Sequence, residues 1–375
     1  MNLNIVVFGL SITSSWGNGH ATTYRALTKA LAARGHNVTF LERDVPWYRD
    51  NRDFARAPYC TIELYDDLKS VPARFGAQVA AADLVILGSY VPDGAILADW
   101  LTRTARGVTA FYDIDTPVTL ARLKQGNAEY ISPAMIPRFD LYLSFTGGPV
   151  LAEIEDAYGS PRARALYCAV DPDLHAPLEA APRWELGYLG TYSADRQPAL
   201  GRLLIAPARA LAERRFAVAG PQYPSTIAWP RNVERIDHLS PADHRAFYCG
   251  QRYTLNVTRA DMVAVGYSPS VRLFEAAACG VPVISDSWAG IETILAPGRE
   301  ILIAKTARDV VRILEEMPDE RRRDVAQAAR RRVLQHHTAD HRAAELEGYY
   351  REVMADAAAS SGDAQESRAL GRSLA

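Results

Sequence analysis

The 375-residue sequence predicts an α/β protein made of two Rossmann-like parallel-sheet domains that face a central cleft. Three observations carry this. A strand, a helix and a second strand fit within about the first forty residues, a βαβ unit whose strands must run parallel because the helix crosses over between them. Residues 171–184 hold Pro172, Pro177 and Pro182 with little periodicity, the composition of an interdomain linker. Beyond them the alternation of apolar runs and helical stretches restarts, and at about 150 residues per domain the length has room for two such units.

The elements follow in order. Residues 4–8 form a continuous apolar run ending at Gly9, the pattern of a strand buried on both faces. A helix-period segment over 19–34 carries Ala26, Leu27, Ala30 and Leu31 and stops at Gly35, and a second strand occupies 37–41. Strands at 83–88, 108–112, 140–144 and 165–170, with a helix near 96–106, complete a first domain over 1–170. A second domain, 185–337, shows strands at 186–190, 216–219, 233–236, 253–257 and 281–284 and helices near 199–214, 241–249 and 269–279. The last long helix, 338–356, is expected to pack back on the first domain, and the small, polar stretch 358–375 to be a disordered tail.

Composition narrows the partners. Hydrophobic residues make up 48% and charged residues 23%, ordinary globular values, and the net charge of −2 gives no field that draws the chain onto nucleic acid or an anionic membrane. No apolar run approaches the roughly 18 residues that span a bilayer, and the N-terminus lacks a basic leader region, so a cytoplasmic protein without a transmembrane segment is expected. Cys60, Cys168, Cys249 and Cys279 lie far apart, which gives neither a zinc signature nor a disulfide framework. Only four of the 42 basic residues are lysines (Lys29, Lys69, Lys124 and Lys305), a bias that follows base composition first and suits bidentate phosphate recognition second.

Residues 266–284 hold the densest chemical signal. Ser268 is a good N-cap, Pro269 fits the first helical position, and Gly280 with Pro282 ends the helix. At 100° per residue Val271, Phe274 and Ala278 form an apolar stripe, with Ser268, Arg272 and Glu275 together beside it. Arg272 and Glu275 are either a surface pair or a site in which the helix N-terminus takes a phosphate and the carboxylate holds both hydroxyls of a ribose.

The run from Ser268 to Ser285, with Gly290-Ile-Glu292 and residues 297–301 after it, resembles the donor-binding segment of GT-B glycosyltransferases, and among them the CgeB-like (spore maturation protein-like) branch. The resemblance extends to residues 256–259 with Met262 and, more weakly, to 189–192 with Arg196. It implies a GT-B fold and a glycosyltransferase of hexosyl or deoxyhexosyl type whose co-substrate is a nucleotide sugar, with no further cofactor. Glu275 is then the ribose holder, and Arg272, Ser268, Ser270, Arg259, Gly190, Thr191, Arg196, Gly290 and Glu292 complete the donor side. The sequence departs from the family in two places. Tyr267 stands where retaining members often carry a second Glu, and no lysine lies between Lys124 and Lys305 to join an Arg–Lys diphosphate clamp.

On the first domain, Trp16-Gly17-Asn18-Gly19-His20 with Arg34-Gly35-His36 resembles the acceptor-side unit of the same enzymes. Gly17 and Gly19 let a ligand approach the backbone, and His20, near neutrality, is a candidate base for an acceptor hydroxyl. Asp113, at a strand end, is the second candidate base, while Asp115 either caps the next helix or joins the acceptor side. The Asp113-x-Asp115 pair is too short and common to indicate a metal, and metal independence is expected. The resemblance implies an acceptor hydroxyl, left unidentified, on a glycan, a lipid-linked or a small-molecule partner. A nucleotide-sugar 2-epimerase and a non-catalytic sugar-nucleotide binder fit the same segments. A nicotinamide enzyme is disfavoured, since Gly17 and Gly19 follow the first strand too late and Thr22 takes the third glycine position, although Glu42 mimics the ribose carboxylate of that fingerprint.

Overall fold

In the computed structural model the described residues are 1–373 apart from Ala128 and Ala180, with the backbone alone from 360 onward. Among them thirteen strands form two sheets: β1 Asn4–Gly9, β2 Asn37–Arg43, β3 Thr61–Tyr65, β4 Leu84–Gly88, β5 Val108–Asp113, β6 Leu141–Ser144 and β7 Ala163–Ala165 in the first, then β8 Trp184–Leu189, β9 Phe216–Ala219, β10 Val233–Ile236, β11 Gln251–Asn256, β12 Val283–Ser285 and β13 Leu302–Ile303 in the second. The helices that matter to the site are α1 His20–Ala33, α2 Thr116–Lys124, α3 Pro241–Cys249, α4 Ala260–Val265, α5 Val271–Ala278, α6 Asp319–His336 and α7 Ala339–Ser373.

Every pairing between these strands is parallel, in the orders β3-β2-β1-β4-β5-β6-β7 and β10-β9-β8-β11-β12-β13. Both orders reverse direction beside their first strand, between β1 and β4 and between β8 and β11. Ligands of open parallel sheets settle at such reversals, outside the carboxyl ends of the strands.

The strands β1, β4 and β5, buried along nearly their whole length and mostly apolar, are the ones that sequence identifies most securely. The half-buried edge strand β3 has no counterpart in the sequence reading, and β7 stops at Ala165, short of the 165–170 expected. The single helix expected over 199–214 is instead two short α segments around a π-turn at Gly201–Ile205, next to Pro207, whose ring nitrogen cannot donate. At the C-terminus, where a disordered tail is expected over 358–375, α7 runs on helically through Ser373, and positions 374 and 375 lie outside the described residues.

Two crossings connect the sheets, through 171–183 and through His337 and Thr338. They lie side by side: the Val170 amide donates to the His337 carbonyl (3.2 Å) and the Ala339 amide to that of Val170 (2.9 Å). After the second crossing α7 lies on α1. Arg34 clasps Glu347 with two bonds (2.8 and 3.0 Å), His36 Nε2 sits 2.9 Å from the same carboxylate, and Tyr349 donates to the Ala165 carbonyl at 2.8 Å. His36, whose Nδ1 accepts from the Leu3 amide, is thereby a structural residue.

Glu42 settles the nicotinamide reading. Fully buried, it accepts from the hydroxyls of Ser11 and Thr13 and from the amides of Ile12 and Thr13, at 2.6 to 3.0 Å, so neither oxygen is left for a ribose. It anchors the loop from β1 toward α1. Glu42→Ala is expected to cost about 2–4 kcal/mol, because two backbone amides and two hydroxyls lose a charged acceptor in the interior. Urea melts read this, and a midpoint unchanged from the native protein contradicts it.

Candidate active site

The loop that Glu42 anchors passes through Asn18, whose side-chain amide donates to the carbonyls of Ser11 and Ser14 and whose oxygen accepts from the His20 amide. His20 is placed in this way at the start of α1, facing a cavity of about 340 Å³ between the carboxyl ends of the two sheets. Ser15, Gly17, Gly19, His20 and Asp115 line it from the first sheet. Gly190, Thr191, Arg196, Arg259, Ser270, Arg272 and Glu275 line it from the second.

The second-sheet wall is tightly built. Gly220 takes φ +138°, and a Cβ there would stand 2.1 Å from the Gly190 carbonyl, so the turns after β8 and β9 pack backbone to backbone. Arg272 donates to the Leu189 carbonyl (2.6 Å) and to Asn256 Oδ1 (2.7 Å) and stacks over Tyr188, which fixes its guanidinium at the cavity wall. Ser270 donates to the same Asn256 oxygen at 2.8 Å, and Arg196 is held by the Thr191 carbonyl at 2.8 Å. Glu275 is 3% exposed, and its Oε2 accepts from Tyr248 at 2.9 Å.

An ion pair spans the cavity. Arg259 Nη1 lies 2.7 Å from Asp115 Oδ2, which also accepts from the Tyr90 hydroxyl at 2.9 Å. Burial works against the guanidinium charge, yet Asp115 holds Arg259 above its ordinary value. Higher up, the Trp16 and His238 rings meet across the same gap with centroids 4.5 Å apart.

Burial lowers His20 from 6.5 to about 4, with Asp115 opposing and Arg259 adding to the fall, so the imidazole is neutral at physiological pH. Its buried Nδ1 has no hydrogen-bond partner among the described residues. A neutral imidazole with a free nitrogen is able to accept a proton from a hydroxyl.

Several expected positions fall elsewhere. Asp113 is fully buried and faces away from the cavity, taking bonds from Tyr142 and from Thr119 of α2; burial raises it to about 6, but no substrate reaches it as a base. Ser268 is not the N-cap. The helix α5 begins at Val271 with Ser270 in that position, while the buried Ser268 hydroxyl accepts from Thr146 of the first sheet's side at 2.9 Å. Gly290 lies outside the cavity lining and makes room for the ring of Tyr267, which a Cβ would meet at 2.3 Å; Glu292 is exposed and also outside the lining. Conversely, the sequence reading passed over His175, His244, Tyr248 and Tyr90. His244 and Tyr248 stand four apart on α3, a spacing that puts both on one helix face.

Proton linkage gives a stability test. Burial also lowers His337 to about 3, with Arg342 adding to the shift. As pH falls from 6.5 toward 4, the unfolded chain gains protons at His20 and His337 that the folded one refuses, and this destabilises the fold. Asp113 acts oppositely between 3.8 and about 6, where the folded form keeps a proton the unfolded form loses, and cancels about one of the two. Stability at these groups therefore falls on acidification from pH 6.5 to 4, by roughly 1.4 kcal/mol per pH unit for each uncancelled proton. Urea midpoints at pH 7, 5.5 and 4.5 are expected to decline in that order, less so in His337→Leu.

Fold and cleft define the class: two parallel-sheet α/β domains in the GT-B arrangement of glycosyltransferases. A family model described as "Glycosyl transferase-like" (Glyco_trans_1_2) matches residues 196–348, so the chain carries a glycosyltransferase-like domain that includes Arg196, Arg259, Arg272 and Glu275. No curated protein matches the sequence. Among solved structures it is similar to a sucrose-phosphate synthase from Thermosynechococcus elongatus, at 15% identity over 94% of this chain and 100% of that chain, with a TM-score of 0.68. It is similar as well to Anabaena Alr3699/HepE in complex with UDP and glucose (11% identity, 93% and 100% covered, TM-score 0.67) and to a glycosyltransferase from Rickettsia africae (12%, 94% and 99%, 0.64). At these identities the likeness is one of fold. Among the described residues no helix is long and apolar enough to cross a membrane.

Proposed function

We propose that the protein transfers a sugar from a nucleotide-sugar donor, bound against the second sheet, to a hydroxyl-bearing acceptor bound against the first. The observation that carries this is the convergence of Glu275, three guanidinium groups and a neutral His20 on one cavity between the two sheets. Glu275 accepts from the ribose hydroxyls. Arg196, Arg259 and Arg272 neutralise the diphosphate with the first amides of α5, a clamp without lysine that needs no divalent ion. The acceptor oxygen bonds to the anomeric carbon as the bond from that carbon to the diphosphate oxygen breaks. The hydroxyl proton passes to the neutral imidazole of His20, and the nucleoside diphosphate leaves on the arginines.

The complexes of Anabaena HepE with UDP and with UDP-glucose favour a uridine donor and a hexosyl group. Residues 268–285 favour the CgeB-like branch and, with it, a nucleotide-sugar co-substrate without further cofactor, while four scattered cysteines without a disulfide framework favour a cytoplasmic protein. The test is a panel of UDP-, GDP-, dTDP- and CMP-sugars, read by thermal shift and slow donor hydrolysis in excess chelator. One nucleotide class is expected to stabilise the protein. Absence of a shift with every member removes the reading, and hydrolysis that stops in chelator removes the metal-independent form of it.

A further inference from the structure

Behind the ribose carboxylate lie two imidazoles that sugar transfer does not use. His175 comes from the first crossing between the sheets, His244 from α3 and Glu275 from α5. His175 Nε2 is 3.7 Å from Glu275 Oε1, and His244 Nδ1 is 3.8 Å from Oε2. One ligand atom from each residue can be chosen so that all lie within 4.8 Å of one another, and among the described residues this is the one such group of three. Both ring nitrogens of the buried His175 and Nδ1 of His244 have no hydrogen-bond partner among the described residues. Tyr248 steadies the carboxylate. Two buried imidazoles and a carboxylate that converge without hydrogen bonds among themselves form a polar group whose ligand atoms a cation can satisfy together.

We propose that His175, His244 and Glu275 form a binding site for a borderline divalent cation of the zinc type at the floor of the cleft. Tetrahedral zinc, with bonds of about 2.0–2.1 Å, brings its ligand atoms to about 3.4 Å from one another; the two imidazoles now face different oxygens of Glu275, and the three ligand atoms, within 4.8 Å, must draw together by up to roughly an ångström to close on it. Two imidazoles and one carboxylate suit zinc and exclude magnesium, which prefers six oxygens. His244 and Glu275 line the cavity, so the fourth position faces the cleft. The consequence rests on Glu275 as the ribose holder: a carboxylate committed to the cation is not free for the ribose hydroxyls, and zinc and nucleotide exclude one another. Such a site inhibits transfer and takes no part in it.

The experiment uses the full chain after chelator treatment, titrated with ZnCl2 by calorimetry and with Co2+ by visible absorption. One zinc per chain is expected, with a tetrahedral cobalt spectrum that UDP abolishes. His175→Ala and His244→Ala are each expected to weaken zinc about tenfold or more while melting within a few degrees of the native protein. Absence of zinc binding, zinc binding that both variants retain, or zinc and UDP bound together without mutual effect overturns the proposal. Should the variants fail to fold, the cobalt spectrum of the native chain and its response to UDP decide alone. Nucleotide binding without zinc binding removes this inference only; zinc binding without any nucleotide binding leaves the cation site and removes the proposed transfer.

Discussion

Glu275→Ala is expected to lower nucleotide affinity about 100-fold or more. A carboxylate that accepts from two ribose hydroxyls makes two charge-assisted bonds, each worth about 1.5–3 kcal/mol, and about 3 kcal/mol in total already corresponds to more than a hundredfold in Kd. The effect is not expected to come through folding. Glu275 is buried with Tyr248 as its close donor and two imidazoles nearby whose facing nitrogens lack partners among the described residues, so its removal also relieves a desolvated charge. Glu275→Gln keeps one acceptor oxygen and is expected to fall between the two. Calorimetry with the nucleotide found by the panel measures all three, and equal affinity in Glu275→Ala and the native protein refutes the ribose assignment.

The second large effect is on chemistry. His20→Ala is expected to reduce the transfer rate by about 10²- to 10⁴-fold, the range for loss of a positioned base, with the donor KM changed little. The native rate is expected to fall on acidification as His20 takes up a proton near pH 4, a limb absent from the variant. Steady-state rates from pH 4 to 8 in both proteins test this. A variant within threefold of the native rate, or one that keeps the acidic limb, assigns the proton to another acceptor.

How much of this was written in the sequence depends on the distance over which each signal acts. The segment around α5 was legible because capping, helical period and the Gly280 stop are local, although the cap itself moved from Ser268 to Ser270. The choice between Asp113 and Asp115 was not. In a parallel strand buried on both faces there is no polar alternation to show which way a terminal carboxylate points. Asp113 shares a face with Phe111, beneath α2, whereas Asp115 lies past the strand end, where the chain has turned into the cleft. His175 and His244 come to Glu275 from separate elements, and only the tertiary fold makes them neighbours. Strand β3 was missed because its alternation, Ile62 and Leu64 against Thr61 and Glu63, lasts only five residues at a half-exposed edge and is too short to stand out from a loop.

The paired crossings between the sheets have a kinematic consequence. Two chains that run side by side and are bonded to each other at Val170, His337 and Ala339 fix a line, not a point. Bodies joined along a line retain one easy degree of freedom, rotation about it, while sliding and twisting must shear those bonds. The far side of the cleft, where Trp16 meets His238, then travels furthest, and the floor at Glu275 least. A rotation that widens the aperture would therefore have to part Arg259 from Asp115 and Thr146 from Ser268, the contacts that now join the two sides of the cleft, while the ribose end beside the crossings moves least.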